Sequence, residues 1–385
     1  LPRKHSRFSK SCKLVFVGVV NRQFSELAIE LELEVGAVQF YDPDDQPGDV
    51  MSYVREGPGR LLPRFRPPNY RWLIRALEEL QPDVVVPTSE FAVEAAFRTS
   101  KKLGAEYAGN EPEVVNIAAD KLELFSRLSD VLPMPETSED PSELDVETLV
   151  EKPVRGAGGL GVRKVKPDEA DPRPGTIFQE FVPGRHVSVT FVSDGSDVKV
   201  LSVNDQLINL RSEYSYKGNL VPSPYYLVPS VREEARKVCE VLVDELGLVG
   251  LNGVDAVLNK DGLHVIEVNP RPTAVTECLA RVSGDNPIRL HLRAFDGSLP
   301  ERWKIRGWSC KRVIYASDTV RVPYLSWARD RPRPGTVIPR GEPVCSVISS
   351  SSTPSGARSM AKRLERMVVN RLERVSSTPP TEGWY

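Results

Sequence analysis

Apolar and polar positions in the first third of the chain switch repeatedly between two periods. Residues 13–20 form an apolar run of strand length, 24–30 are spaced like a helix, and 38–41 form a second strand ending at Asp42. Residues 70–80 return to helical spacing, 83–86 to a strand and 90–103 to a helix, while 67–70 and 136–147 read as loops. This alternation predicts a small parallel sheet with helices on both faces. Ligands of such sheets collect at the carboxyl ends of the strands, here near Asn21 and Arg22, near Asp42, and around Thr88-Ser89-Glu90.

From 149 the pattern turns β-rich, with strands predicted at 149–153, 162–165, 176–182 and 186–192. An amphipathic helix follows at 231–246, with Glu233, Arg236 and Glu240 on its polar side. Helices are expected at 276–283 and 286–295, strands within 308–350, a flexible polar stretch at 349–355, and an Arg-rich helix at 357–372 before a loose tail. The richest stretch is Asn252-Gly253-Val254-Asp255-Ala256-Val257-Leu258, a turn over 259–262, then Leu263-His264-Val265-Ile266-Glu267-Val268-Asn269-Pro270-Arg271. It reads as a hairpin. Glu267 and Asn269 are spaced i, i+2 and share a face, and the hairpin brings Asp255 to them. Two carboxylates and an amide oxygen suit Mg²⁺ with phosphate as a further ligand. Arg271 continues the register as a fixed guanidinium for developing negative charge, so the set fits phosphoryl transfer. Taken singly, each reads better as an edge-strand charge facing solvent; four in one hairpin, three in strict alternation, favour the site.

With 385 residues the chain is long enough for two or three domains, and 40% hydrophobic and 27% charged residues are ordinary for a globular protein. A net charge of −2 gives no overall attraction to nucleic acid or anionic membrane, and no apolar run spans a bilayer. The basic stretch from Arg358 to Arg374 lacks interleaved aromatics and reads as a solvated face. Five scattered cysteines, without CxxC spacing, fit a reducing cytoplasm better than a zinc site or a disulfide framework.

Gly156-Ala157-Gly158-Gly159-Leu160-Gly161 matches G-x-G-x-x-G, with Glu180 at about the distance a dinucleotide fingerprint needs. That fingerprint must open a helix. Here the loop leads into Val162-Arg163-Lys164-Val165-Lys166-Pro167, which alternates like a strand and is stopped by proline. A strand–loop–strand reads instead as a flap whose backbone N–H groups close over phosphates, with Lys152 just upstream pointing at them; a plain mobile turn is the alternative. Gln179-Glu180-Phe181-Val182 ends a strand in a way that suits an adenine edge, and His186 follows as a ribose or phosphate contact or a packed residue.

In this order the pieces resemble the ATP-grasp superfamily and, within it, the biotin carboxylase-like branch, nearest to uncharacterised archaeal carboligase-like members. The resemblance rests on Asp120-Lys121, Glu151-Lys152-Pro153, the glycine loop, Gln179 to Val182, Gly184-Arg185-His186-Val187-Ser188-Val189, Asp255, and Glu267-Val268-Asn269-Pro270-Arg271. It implies a mixed α/β and α+β fold: an N-terminal parallel-sheet domain at 1–115, an ATP-grasp domain at 116–300, and a small β-rich closing domain with a C-terminal helix at 301–385. It implies ATP and Mg²⁺ as cofactors, with Mn²⁺ a substitute. Lys121 and Lys152 would hold phosphates, Gly156, Gly158, Gly159 and Gly161 would cover them, Glu180, Phe181 and Val182 would form the adenine hinge, and His186 would sit near the ribose. Asp255, Glu267 and Asn269 would hold the metal, and Arg271 would stabilise an acyl phosphate.

One departure limits the resemblance. Biotin carboxylases place a basic Glu shortly after the signature Arg, and here that slot holds Val275. The expectation is therefore a cytoplasmic, ADP-forming carboxylate–amine ligase of cofactor or small-metabolite biosynthesis, acting on a small carboxylate and an amine. Asn204, Gln206, Tyr216 and Asn219 are candidates for its substrate pocket, or else ordinary loop and turn formers. Nucleic-acid and membrane partners are not expected, and a homodimer is allowed. The alternatives are a carboxylase-like enzyme and a silent nucleotide-binding regulator.

Overall fold

The computed structural model describes residues 12–18, 22–41, 60–63, 71–156, 158–159, 161–209 and 214–375. Asn21, the Arg22 side chain, Asp42, the 67–70 loop, Ala157, Leu160 and the tail lie outside the described residues.

The alternating N-terminal pattern becomes strands Lys13–Gly18 (β1), Glu34–Tyr41 (β2), Arg60–Pro63 (β3), Val84–Pro87 (β4) and Glu106–Tyr107 (β5). Between them lie helices Arg22–Ile29 (α1), Arg71–Leu80 (α2) and Glu90–Leu103 (α3). The strands form one parallel sheet in the order β3-β2-β1-β4-β5. Period-two alternation divides β1 between two layers. Leu14 and Phe16 pack against Phe24 and Leu27 of α1, while Val15 and Val17 pack against Leu77 of α2 and Ala96 of α3.

Helices Pro112–Ala119 (α4) and Lys121–Leu128 (α5) lead into a four-stranded antiparallel sheet. Its strands are Thr137–Ser138 (β6), Leu149–Pro153 (β7), Arg163–Val165 (β8) and Thr176–Glu180 (β9), in the order β6-β9-β7-β8. The glycine loop joins β7 to β8, as a strand–loop–strand flap requires.

Seven strands make the central antiparallel sheet: Arg185–Asp194 (β10), Val198–Asn209 (β11), Ser215–Val221 (β12), Val249–Asn259 (β13), Gly262–Asn269 (β14), Trp308–Tyr315 (β15) and, later in the chain, Pro343–Ser351 (β18), with short strands Val320–Arg321 (β16) and Val337–Ile338 (β17) between the last two. The order is β14-β13-β10-β11-β12-β15-β18. Helix Pro229–Leu246 (α6) buries Ala235, Val238 and Leu242 against Val187, Val189 and Val203 on one face. Helices Thr276–Ser283 (α7) and Pro287–Phe295 (α8) cover the other, through Cys278, Leu279 and Leu290 against Val192, Leu201 and Val221. Ile288 and Leu292 of α8 also pack beneath the N-terminal sheet, so one helix serves both cores.

The β-rich C-terminal segment extends the central sheet, because β15 pairs with β12. Beyond it, β16, β17 and Glu373–Arg374 (β19) form a small separate sheet. The serines expected to be flexible from 349 instead continue β18: Ser349 pairs with Cys310, and its hydroxyl donates to Ala357 O at 2.7 Å. The following helix, Pro354–Val369 (α9), starts three residues earlier than expected. Thr353 caps it through the Gly356 N–H, and Pro354 fits its first turn.

Candidate active site

The hairpin β13–β14 forms as the sequence predicts, and its register sets the site. Asp255 stands directly opposite Glu267 and Gly253 opposite Asn269, so both carboxylates and the amide share one face. A bulge follows, in which Ala256 pairs with Val265 and Ile266 is the extra residue on β14. Ile266 therefore lines the same cavity as Glu267 and adds an apolar wall beside the acids. Like charges directly opposite destabilise a strand pair. Burial first and Glu267 second push Asp255 up to about 7, against hydrogen bonds from Gln206 and Asn269 and the charge of Arg271. This crowding is what a divalent cation would relieve, and the hard oxygen donors match Mg²⁺. Among the described residues no cluster of three His, Cys, Asp or Glu side chains has metal-binding geometry, so two carboxylates with the Asn269 oxygen are the donors available.

Arg271 lines the cavity beside this set. Its Nε donates to Glu90 Oε1 at 2.7 Å and its terminal nitrogen to Asn269 Oδ1 at 3.3 Å. Glu90 opens α3, so the strand end singled out at Thr88-Ser89-Glu90 contacts Arg271, although none of its three residues lines the cavity.

Opposite lies the flap sheet. Period-two alternation in β7 points Glu151 away, into ion pairs with Arg163 and Arg173 at 2.6 Å each, and Lys152 into the cavity. Lys152 Nζ donates to Gln179 Oε1 at 2.7 Å, and the Gln179 amide donates to Thr137 Oγ1 at 2.8 Å. Burial first, and the Lys121 charge second, pull Lys152 down to about 7. Lys121 Nζ lies 3.6 Å from Glu267 Oε2 and donates to Gly156 O at 3.1 Å. Gly158, Gly159 and Gly161 hold φ near +70 to +80°. Gly159 lies so close to Tyr214 that an added Cβ would stand 1.8 Å from its carbonyl oxygen, and Tyr216 N–H donates to Gly158 O at 3.3 Å. The flap is thus docked onto the start of β12.

Glu180, Phe181 and Val182 line the cavity end near the flap. The N–H groups of Glu180 and Phe181 are already bonded to Glu136 O and Thr148 O, so neither is open to an adenine edge. His186 also lines the cavity, and burial lowers its pKa, which favours the neutral ring. Of the proposed substrate residues, Gln206, Tyr216 and Asn219 line the cavity, with the Tyr216 hydroxyl donating to Asn219 Oδ1. Asn204 is not among the lining residues: fully buried, it donates its amide to Ser188 O at 3.2 Å and Thr190 Oγ1 at 3.1 Å, tying β11 to the part of β10 whose Ser188 and Thr190 do line the cavity. The cavity measures about 320 Å³. Gln179, read from the sequence only as the start of an adenine edge, orients Lys152. A residue not singled out beforehand is Asn110, whose amide donates to Asn252 Oδ1 and to Pro270 O at 2.8 Å each. A lone loop asparagine carries no sequence signal for such a role.

Residues 118–275 match the family model of the ATP-grasp domain. An uncharacterized protein of Methanocaldococcus jannaschii is 22% identical over 362 residues, 89% of each chain. The 3-methyl-D-ornithine–L-lysine ligase of Methanosarcina mazei is 29% identical over 195 residues, 49% of this chain and 48% of that one. Among solved structures, the Campylobacter jejuni biotin carboxylase with an ATP analogue superposes with a TM-score of 0.73 at 17% identity, over 94% of this chain and 92% of that one. Residues 118–275 are an ATP-grasp domain, and the chain has the ATP-grasp fold. The superposition on that biotin carboxylase shows a shared fold. Among the described residues no helix is long and apolar enough to cross a membrane.

Proposed function

We propose that the protein is an ATP-dependent carboxylate–amine ligase that forms ADP and phosphate through an acyl phosphate. The observation that carries this reading is the convergence of Asp255, Glu267, Asn269 and Arg271 with Lys121 and Lys152 in one flap-covered cavity. Its resemblance to a named ligase supports the reaction class.

Phosphoryl transfer asks little of a protein beyond alignment and charge neutralisation. Mg²⁺ bound by Asp255, Glu267 and Asn269 would offset phosphate charge. Lys121 and Lys152, with their stems enclosed, hold the phosphates from the flap side, and docking of Gly159 on Tyr214 excludes water. A substrate carboxylate oxygen bonds to the γ-phosphorus as the bond to ADP breaks. The amine nitrogen then bonds to the acyl carbon as phosphate leaves, its lost proton leaving with the phosphate. Arg271 stabilises the charge that grows in both steps. Val275 puts an apolar group on the cavity wall where the branch's carboxylases carry a basic Glu, which weighs against carboxylation.

The test is ADP release from Mg-ATP with pooled small carboxylic acids alone, pooled amines alone, and both together. ADP that requires both supports the ligase. ADP that requires bicarbonate and no amine overturns it in favour of carboxylation.

A further inference from the structure

We propose that the protein carries a separate anion site, on the face of the central sheet away from the cavity, that takes a phosphate dianion. Its centre is Asp205, which is 2% exposed. Period-two alternation turns Asp205 away from Gln206, and Arg185 away from His186, the neighbours that line the cavity. Asp205 stands opposite Val187 in the β10–β11 register, so Arg185 lies diagonally beside it on the same face.

Four donors fill this carboxylate. Arg185 donates Nε to Oδ1 at 2.7 Å and a terminal nitrogen to Oδ2, and Ser223 Oγ donates to Oδ1 at 2.6 Å. The fourth donor is a terminal nitrogen of Arg358, brought in by α9. A carboxylate accepts about four hydrogen bonds, so Asp205 has no further capacity. Two guanidinium charges therefore share one negative charge. Arg358 Nε is buried and has no hydrogen-bond partner. A tie between α9 and the sheet would be complete with Arg358 alone, and a buried donor left unpaired is costly.

The surroundings add positive charge. Lys362 follows Arg358 by one turn of α9, and Arg312 on β15 pairs with Glu365, its Nε donating to Oε2 at 2.6 Å. The Cys310 thiol, pushed up to about 11 mainly by burial, feels Arg312, Arg358, Glu365 and Lys362 together, which places the four in one cluster. Arg185, Arg358, Lys362 and Arg312 thus stand against Asp205 and Glu365, an excess of two positive charges in a chain whose net charge is −2. A phosphate near neutral pH brings about −1.5 to −2 charge and strong acceptor oxygens, which matches that excess. The Arg185 and Arg358 side chains are 39% and 38% exposed, so both forks can turn to a ligand. Arg185 also lies 5.2 Å from the centre of the exposed Tyr225 ring, which gives the anion an aromatic border.

The test is calorimetric titration of the full chain at constant ionic strength, with the cavity saturated by Mg²⁺ and a non-hydrolysable ATP analogue. The probes are inorganic phosphate, phenyl phosphate and acetate. The expected result is one phosphate per chain at about 1 mM or tighter, preferred over acetate by about tenfold or more. Tighter binding of phenyl phosphate would assign a phosphate ester, and equal binding the free anion. Arg358→Gln should weaken phosphate by about tenfold or more and Lys362→Gln by less, each with the ATP-analogue titration unchanged. Arg358→Lys should keep part of the affinity. Arg271→Ala, which alters the cavity, should leave the phosphate titration as it is. Phosphate binding that is undetectable, equal to that of acetate, unchanged in Arg358→Gln, or lost in Arg271→Ala would overturn the inference.

Discussion

Lys152 is held at a cost that its pH dependence should reveal. Folded, it is fully enclosed and its pKa falls to about 7; unfolded, it returns to its ordinary value of 10.5. Below the folded value the ammonium is buried at full cost, and between the two values the unfolded chain binds the extra proton, so stability rises with pH across that window. Lys152→Met should therefore melt higher than wild type near about pH 6, with the gain shrinking toward about pH 10. A gain that grows with pH would contradict the assignment. Glu267→Gln should lower ATP turnover by roughly 100-fold or more with the melting temperature little changed, because it removes one of two opposed acids. Arg271→Ala should lower kcat far more than nucleotide affinity, checked by turnover against direct nucleotide titration. At this scale Asp255, Glu267 and Asn269 were legible because strand period and a two-residue turn fix a shared face. Asn204 shares a strand with Gln206, but its amide is donated to Ser188 and Thr190, a pairing that no local pattern announces. The Glu90–Arg271 pair was illegible as a pair, since no local period links residues so far apart in the chain.

Among elements, the flap shows how a loop without secondary structure is given one closed position. Its left-handed glycines let the backbone press against Tyr214, and β7 presents Lys152 beneath. Gly159→Ala should prevent that docking and raise the KM for ATP by about tenfold or more, with little change in melting temperature. Unchanged ATP kinetics would show that the contact is incidental. The proline-stopped strand after the loop marked it as a flap and excluded the dinucleotide motif, a distinction that composition alone does not make. The bulge that turns Ile266 into the cavity left no trace in the sequence, because it depends on the pairing of β14 with β13. The serine run in β18 was misread for a related reason: its polarity suggests a flexible loop, but Cys310 and Ala357 supply the partners that hold it in a sheet.

At the scale of the molecule, the flap sheet and the central sheet enclose one cavity, and the N-terminal sheet is joined to the central sheet by polar contacts. Asn110 follows β5 of the N-terminal sheet, accepts from Val249 N–H at 2.8 Å, and donates to Asn252 Oδ1 and Pro270 O. It thereby ties the start of β13 to the turn that carries Arg271. Asn110→Ala leaves these buried groups unpaired and should cost about 3 kcal/mol of stability. It should also lower kcat, because Arg271 loses its brace; full activity at an unchanged melting temperature would count against the bracket. The alternating N-terminal pattern and the hairpin made the layers legible. The joints between layers were not, since they are built from single residues whose partners lie in other segments.

The most direct test of the account is calorimetric titration of a non-hydrolysable ATP analogue, with and without Mg²⁺, into wild type and Glu267→Gln. The account predicts binding by the wild type that Mg²⁺ strengthens, and loss of that Mg²⁺ effect in the variant. Binding that ignores Mg²⁺ in both proteins, or no binding by the wild type, would contradict it.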